Sequence, residues 1–160
     1  MSEKIEFSQN SRARLRILAI ETATRTGGVA IVEGNEVRGS LVLNTSKTHS
    51  ERLLKAVDFL LGECTLKIAD MDGIAVSLGP GSFTGVRIGL ACAKGLAFAS
   101  EKPLVGVSTL EALALRSAET KILLCPIIDA RRGEIFGAGY HFDVANCRLI
   151  SVLPPRAEPI

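Results

Sequence analysis

The sequence predicts an α/β protein built on a mixed β-sheet flanked by helices. Three features of the pattern lead there. Three short apolar runs separated by polar turns open the ordered part, strand-like and helix-like segments then alternate, and a fresh pair of strand-like runs begins near residue 122. With 160 residues, 47% hydrophobic and 22% charged, the chain has material for one real core or two small ones.

Each element has a local cause. Residues 17–20 are an apolar run closed by Glu21, Thr22, Thr24, Arg25 and Thr26, which reads as a buried strand ending in a turn. Gly27 and Gly28 lead into a second run at 29–32, and Glu33, Gly34 and Asn35 turn the chain into a third at 37–43. Three strands with short connections make an antiparallel meander. Over 51–62, Leu53, Leu54, Val57, Leu60 and Leu61 recur at helical spacing. Ser50 or Thr48 is the expected cap, Glu51 suits the positive helix end, and Gly62 is the expected stop.

The run Ile74, Ala75, Val76 is a strand feeding the glycine-rich stretch 79–85. A helix follows over 84–100, apolar nearly all round, with Arg87 and Lys94 as its charges. Pro103 cannot continue it, so a strand at 104–107 and a short helix at 109–116 come next. Residues 122–129 and 134–142 read as two strands around a turn at 130–133, opening a second copy of the meander. Little chain is left to build it, and the ending with Pro154, Pro155 and Pro159 predicts no further element. The expected organisation is a polar tail at 1–15, a first domain at 16–118 and the start of an incomplete second domain at 119–160.

Composition excludes several functions. Nineteen basic against 17 acidic residues give a net charge of +2, which argues against a dedicated nucleic-acid surface. Arg12, Arg14 and Arg16 read either as an RNA contact or, more simply, as a solvated leader. No apolar run is long enough for a membrane span or a signal core, so a cytoplasmic protein without membrane attachment is expected. Cys64, Cys92, Cys125 and Cys147 are too scattered for a zinc site or disulfide ladder and are expected as buried free thiols. His49 and His141 form no metal-binding pair, and no serine sits in GxSxG.

Two sets of residues remain as candidates for chemistry or binding. Gly79, Gly81, Ser82, Thr84 and Gly85 lie between a strand and a helix. There, backbone amides can hold an anion, or glycines can let two backbones approach. The spacing matches neither GxGxxG nor GxxxxGK[ST]. Glu21, at the end of the first strand, is either an acid for Mg²⁺ or water or a partner in turn and ion-pair contacts. Asp129 matches it in the second meander and precedes Arg131 and Arg132. In the long helix, Gly85, Gly89, Ala93 and Ala97 recur every four residues and are expected to admit a second helix at close range. Ile88, Cys92, Leu96 and Ala99 occupy its other sides. The sheet can cover one face, which leaves a candidate partner surface comprising Leu54, Phe59, Val86, Leu90 and Lys94.

The segments ILAIETAT, HSERLL, SLGPGSFTGVRIGLACAKGLA, PLVGVSTLEALA and PIIDARRGEIFGAGY together resemble the bacterial TsaB (YeaZ, glycoprotease-like) family of tRNA threonylcarbamoyladenosine biosynthesis proteins. The likeness spans roughly residues 16–142, and GPGSFTGVRIG is its most specific block. The resemblance implies the fold of actin, sugar kinases and heat-shock ATPases (ASKHA), with two ribonuclease-H-like domains of which the second is truncated here. It implies a noncatalytic scaffold subunit in the modification of the adenosine next to the tRNA anticodon. The catalytic homologue TsaD is then a heterodimer partner and TsaE a further component. A homodimer forms when TsaD is absent, and tRNA is met indirectly.

The same resemblance implies no cofactor of this chain's own, with ATP and metal held in the catalytic partner. TsaD binds its metal through a segment like PLVGVNHLEGH. Here PLVGVSTLEAL puts Thr109 and Leu113 where the two histidines would be, so no metal site is expected. Residues of about 49–62 and 84–99 match the family's partner-binding helices. Many relatives carry Asp at the position of Glu21, and most run further than residue 160. Two rival readings are an ATP-dependent kinase or ATPase using Glu21 and the glycine-rich turn, and a plain homodimerising module. A peptidase reading survives only through the family's older name.

Overall fold

The first apolar run forms β1 (Arg16–Glu21), in which Leu18 and Ile20 point into the core and Ala19 and Glu21 to the other side. Strand β2 (Gly27–Glu33) pairs antiparallel with β1, placing Ala19 opposite Ala30, and β3 (Glu36–Leu43) pairs antiparallel with β2. Helix α1 (His49–Glu63) returns the chain, and a turn of 3-10 helix at Ile68–Asp70 leads to β4 (Gly73–Gly79), which lies parallel to β1. Helix α2 (Phe83–Ser100) crosses over to β5 (Leu104–Ser108), parallel to β4. The sheet order is β3-β2-β1-β4-β5. Helix α3 (Thr109–Leu115) then leads to a three-stranded antiparallel sheet of β6 (Ile127–Arg131), β7 (Glu134–Asp143) and β8 (Arg148–Pro159). The computed structural model describes residues 15–43, 49–117 and 122–159. Among them no helix is long and apolar enough to cross a membrane.

The main core forms where α1 and α2 cover one face of the large sheet. Leu53, Val57, Leu60 and Leu61 of α1 and Ala93 and Ala97 of α2 pack with Leu18, Ile20, Ile31, Ile74 and Val76. A smaller core joins Leu110 and Ala114 of α3 to Leu124, Ala138 and Tyr140. Because α3 touches β4 and β5 as well as β7 and β8, it ties the two sheets together. Tyr140 is 2% exposed and packs in this small core with Leu110 of α3.

Several expectations need correction. Gly62 does not stop α1. Thr65, at φ 56°, ends it, with the amide of Leu66 reaching back to the carbonyl of Leu61 at 2.9 Å. Ser50 lies inside α1, which begins at His49, and so does not cap it; the expected cap at Thr48 lies outside the described residues, as do the side chain of Glu51 and residues Arg12 and Arg14. Arg16 is no free RNA contact, because it pairs with Glu33 at 2.8 Å. The four thiols are free but none is fully buried: Cys64 and Cys92 are half-buried, while Cys125 and Cys147 are exposed on connections of the small sheet.

The first strand of that sheet begins at Ile127, not at residue 122. Pro126 interrupts the ladder, and Leu124 keeps only an isolated bridge to Tyr140. The proline-rich ending does form an element, the 12-residue β8. Leu153 pairs with Gly139 and Arg156 with Gly137, so Pro154 and Pro155 fall in the register shift between them, where no ladder donor is lost. The second meander thus has three strands among the described residues.

The small-residue stripe of α2 also faces elsewhere than expected. Gly85, Gly89, Ala93 and Ala97 are all buried. A Cβ at Gly85 would run into the carbonyl oxygen of Thr22, and one at Gly89 into the Thr22 hydroxyl. At Gly85 and Gly89 the close approach is to the turn after β1, while Ala93 and Ala97 share the main core with α1.

Two outcomes follow from this packing. Gly89→Ala should destabilise the chain by about 1–3 kcal/mol through overpacking. Gly95→Ala, on the same helix with nothing within 4 Å of the added carbon, should stabilise it by about 0.5–1 kcal/mol; thermal melts compare the two. Tyr140 is the sole tyrosine and tryptophan is absent, so phenolate absorbance reports on it alone. Burial, and then the charge of Glu111, push its pKa above the ordinary 10.0. Its neutral form is thus favoured by folding. That contribution is full below pH 10.0 and is lost as pH rises through the folded value. The titration midpoint should lie higher in native than in denatured protein.

Candidate functional site

The turn after β1 closes on itself. Glu21 Oε1 accepts the amides of Ala23 at 2.6 Å and Thr24 at 3.0 Å, and Oε2 accepts the Thr24 hydroxyl at 2.9 Å. The Ser77 hydroxyl lies 3.4 Å from Oε1. Beside this turn, the glycine-rich stretch serves close approach: a Cβ at Gly81 would run into the carbonyl oxygen of Ala23. The Ser82 amide donates to that same carbonyl at 2.6 Å, Ser82 Oγ accepts the amide of Gly85 at 3.2 Å, and Thr22 Oγ1 donates to the Gly85 carbonyl at 2.8 Å. The amides of Ser82 and Gly85 are thus engaged within the chain, while the Thr84 side chain is exposed. Asp129 likewise serves a turn, accepting the amide of Arg131 at 2.7 Å.

These residues do not fit a metal. Both oxygens of Glu21 carry hydrogen bonds, and Leu113 offers no donor atom. Thr109 is 4% exposed and its hydroxyl has no partner among the described residues. No group of three or more His, Cys, Asp or Glu side chains converges among the described residues. Thr109 instead lines a depression of about 370 Å³ on the sheet face away from α1 and α2. Ser40, Ala30, Ala19 and Ala75, paired across four neighbouring strands, give that depression a floor of small side chains.

The buried stripe of α2 fixes what points outward. On the opposite side stand Phe83, Arg87, Ala91, Lys94 and Phe98, all exposed, with Phe83 at 70% and Phe98 at 89%. On α1, Leu54 is 50% and Phe59 57% exposed. Of the five partner-surface candidates, Leu54, Phe59 and Lys94 are therefore exposed. Val86 and Leu90 are half-buried, and Leu90 packs against the core. Leu54 and Phe59, five positions apart, diverge by about 140° around the helix and do not share one stripe. Phe83 and Phe98 escaped the sequence reading, yet directing the glycine stripe toward the sheet would have turned both outward. The Arg87 guanidinium carbon lies 3.7 Å from the centre of the Phe83 ring.

A five-stranded sheet of order β3-β2-β1-β4-β5, an antiparallel meander continued by two parallel strands and covered by a helix pair, is a ribonuclease-H-like arrangement. The family model described as "TsaD: tRNA N6-adenosine threonylcarbamoyltransferase" matches residues 37–150. The tRNA threonylcarbamoyladenosine biosynthesis protein TsaB of Bacillus subtilis (strain 168) is 40% identical over 142 residues, covering 89% of this chain and 61% of that protein. The solved structure of YeaZ from Pseudomonas aeruginosa superposes with a TM-score of 0.80 at 31% identity, covering 91% of this chain and 68% of that one. The chain belongs to the TsaB (YeaZ) family. It spans 61% of the length of the Bacillus subtilis relative. The ROK hexokinase from Thermus thermophilus, at 15% identity and a TM-score of 0.51, shares the fold alone.

If Glu21 serves the turn, Glu21→Ala should lower stability by about 1–3 kcal/mol, because it strands the amides of Ala23 and Thr24. Arg25→Ala, at an exposed position of the same turn, should leave stability within about 0.5 kcal/mol of the parent. Urea unfolding of the two variants measures both.

Proposed function

We propose that this chain acts in tRNA threonylcarbamoyladenosine biosynthesis as a noncatalytic subunit that docks a catalytic TsaD-type homologue through the outer face of α1 and α2. The observation that carries the reading is the outward stripe of α2, where Phe83 and Phe98 stand 70% and 89% exposed. Exposed aromatic anchors of this size are what interface centres use. The names of the relatives supply the pathway. The engaged carboxylate of Glu21 and the absence of a ligand atom at Leu113 support the noncatalytic role and weigh against a kinase or ATPase of the same fold.

In this reading ATP and metal belong to the partner. Docking favours the competent conformation of the partner's cleft by population shift. TsaE joins the assembly, a second copy of this chain occupies the helix face when the homologue is absent, and the site of action is the cytoplasm. With a net charge of only +2, most phosphate contacts to tRNA come from the other subunits.

Sedimentation velocity of the chain alone and mixed with the TsaD-type homologue from the same source tests the proposal. A one-to-one complex should form at the expense of self-association, and Phe98→Asp should weaken it at least about tenfold. Mixing without a complex, or a complex untouched by Phe98→Asp with the variant's melt unchanged, overturns the docking face.

A further inference from the structure

Arg87 lies at the middle of the outward stripe with its guanidinium stacked on Phe83 at 3.7 Å. The two residues are one helical turn apart, so the stack is local and survives in the unbound chain. The side chain is exposed, and no carboxylate pairs with it among the described residues. A guanidinium laid against a ring has already given up much of its rotamer freedom, and its N–H donors lie in the guanidinium plane. A rigid fork of unpaired N–H donors is the geometry that receives a carboxylate through two parallel hydrogen bonds.

The surroundings point the same way. Lys94 on α2 and Arg52 and Lys55 on α1 are exposed, as are Asp58 and Glu63. Neither these five nor Arg87 is in an ion pair among the described residues. Cations therefore outnumber acids on the described outer surface of the helix pair. A second copy would bring that same excess with it, whereas a partner with acidic residues around an apolar centre would be complementary.

We infer that Arg87, held in place by Phe83, is the receptor for a side-chain carboxylate of the partner that docks on α1 and α2. The inference rests on the docking reading above and deepens it: the partner presents an apolar patch edged by an Asp or Glu facing Arg87. Phe83 acts as the positioning residue. Both roles fit the enrichment of arginine and aromatics among residues that dominate interfaces.

The test uses the full chain and the TsaD-type homologue from the same source, titrated by calorimetry at about 50 and about 300 mM salt. Arg87→Lys keeps the charge but loses the planar fork, and should weaken binding about tenfold at low salt. Phe83→Leu should weaken it severalfold, and the double variant should be little worse than Arg87→Lys alone, because the two residues act as a unit. Parent affinity should fall with salt more steeply than that of Arg87→Lys. Parent complex formation with Arg87→Lys binding within twofold of it would overturn the carboxylate receptor while leaving the docking reading in place. No complex for the parent chain at either salt would overturn both. If the parent forms only a homodimer and Arg87→Lys weakens that, the occupant is a second copy and the acidic partner is ruled out. Both positions are exposed, so unchanged melting of each variant shows that binding alone is read.

Discussion

The fold depends on how closely the backbone of α2 approaches the turn after β1. Thr22 sits under the first turns of the helix, donating its hydroxyl to the Gly85 carbonyl at 2.8 Å, and Gly85 and Gly89 leave no room there for a side chain. That approach sets the rotation of α2 about its own axis. Once the small residues face the sheet, Phe83, Arg87, Lys94 and Phe98 must face away from it. The same approach draws the glycine-rich stretch onto Ala23 and leaves Glu21 bonded to its own turn. One packing event thus closes the turn after β1 and sets which residues of α2 stand at the surface.

Among the described residues, the Thr109 hydroxyl is the buried side-chain polar group left without a hydrogen-bond partner. The outward surface of the helix pair combines apolar and charged side chains and is carried on two helices whose inner faces are anchored in the main core. Side chains standing on such preformed elements lose less freedom on docking than those of a mobile segment. The stacked Phe83 and Arg87 pair extends that logic to a polar contact. Helix α3, packed against both sheets through Leu110 and Tyr140, joins the two meanders.

The strands and helices were largely legible, because period-two and period-3.6 patterns in 17–20, 29–32, 51–62 and 84–100 are set by burial on one face. What the sequence left open depends on non-local geometry. The spacing of Gly85, Gly89, Ala93 and Ala97 announced a close approach but not its object, which lies 63 positions away at Thr22. Pro154 and Pro155 argued against a strand, yet a register shift accommodates them beside Ala138. Exposure of Phe83 and Phe98 followed from the rotation of α2, so neither stood out by composition. At Glu21 both readings were visible in the sequence. Only the positions of the Ala23 and Thr24 amides decided for the turn.

Hydroxyl-radical footprinting of the chain, free and bound to the TsaD-type homologue, tests the central claim most directly because it reads side-chain exposure residue by residue. The account predicts strong labelling of Phe59, Phe83 and Phe98 in the free chain and silence at the buried Met71. In the complex, Phe83 and Phe98 should be protected. Equal labelling of both phenylalanines in free and bound states, with protection confined to other parts of the chain, would contradict the assignment of this helix face as the binding surface.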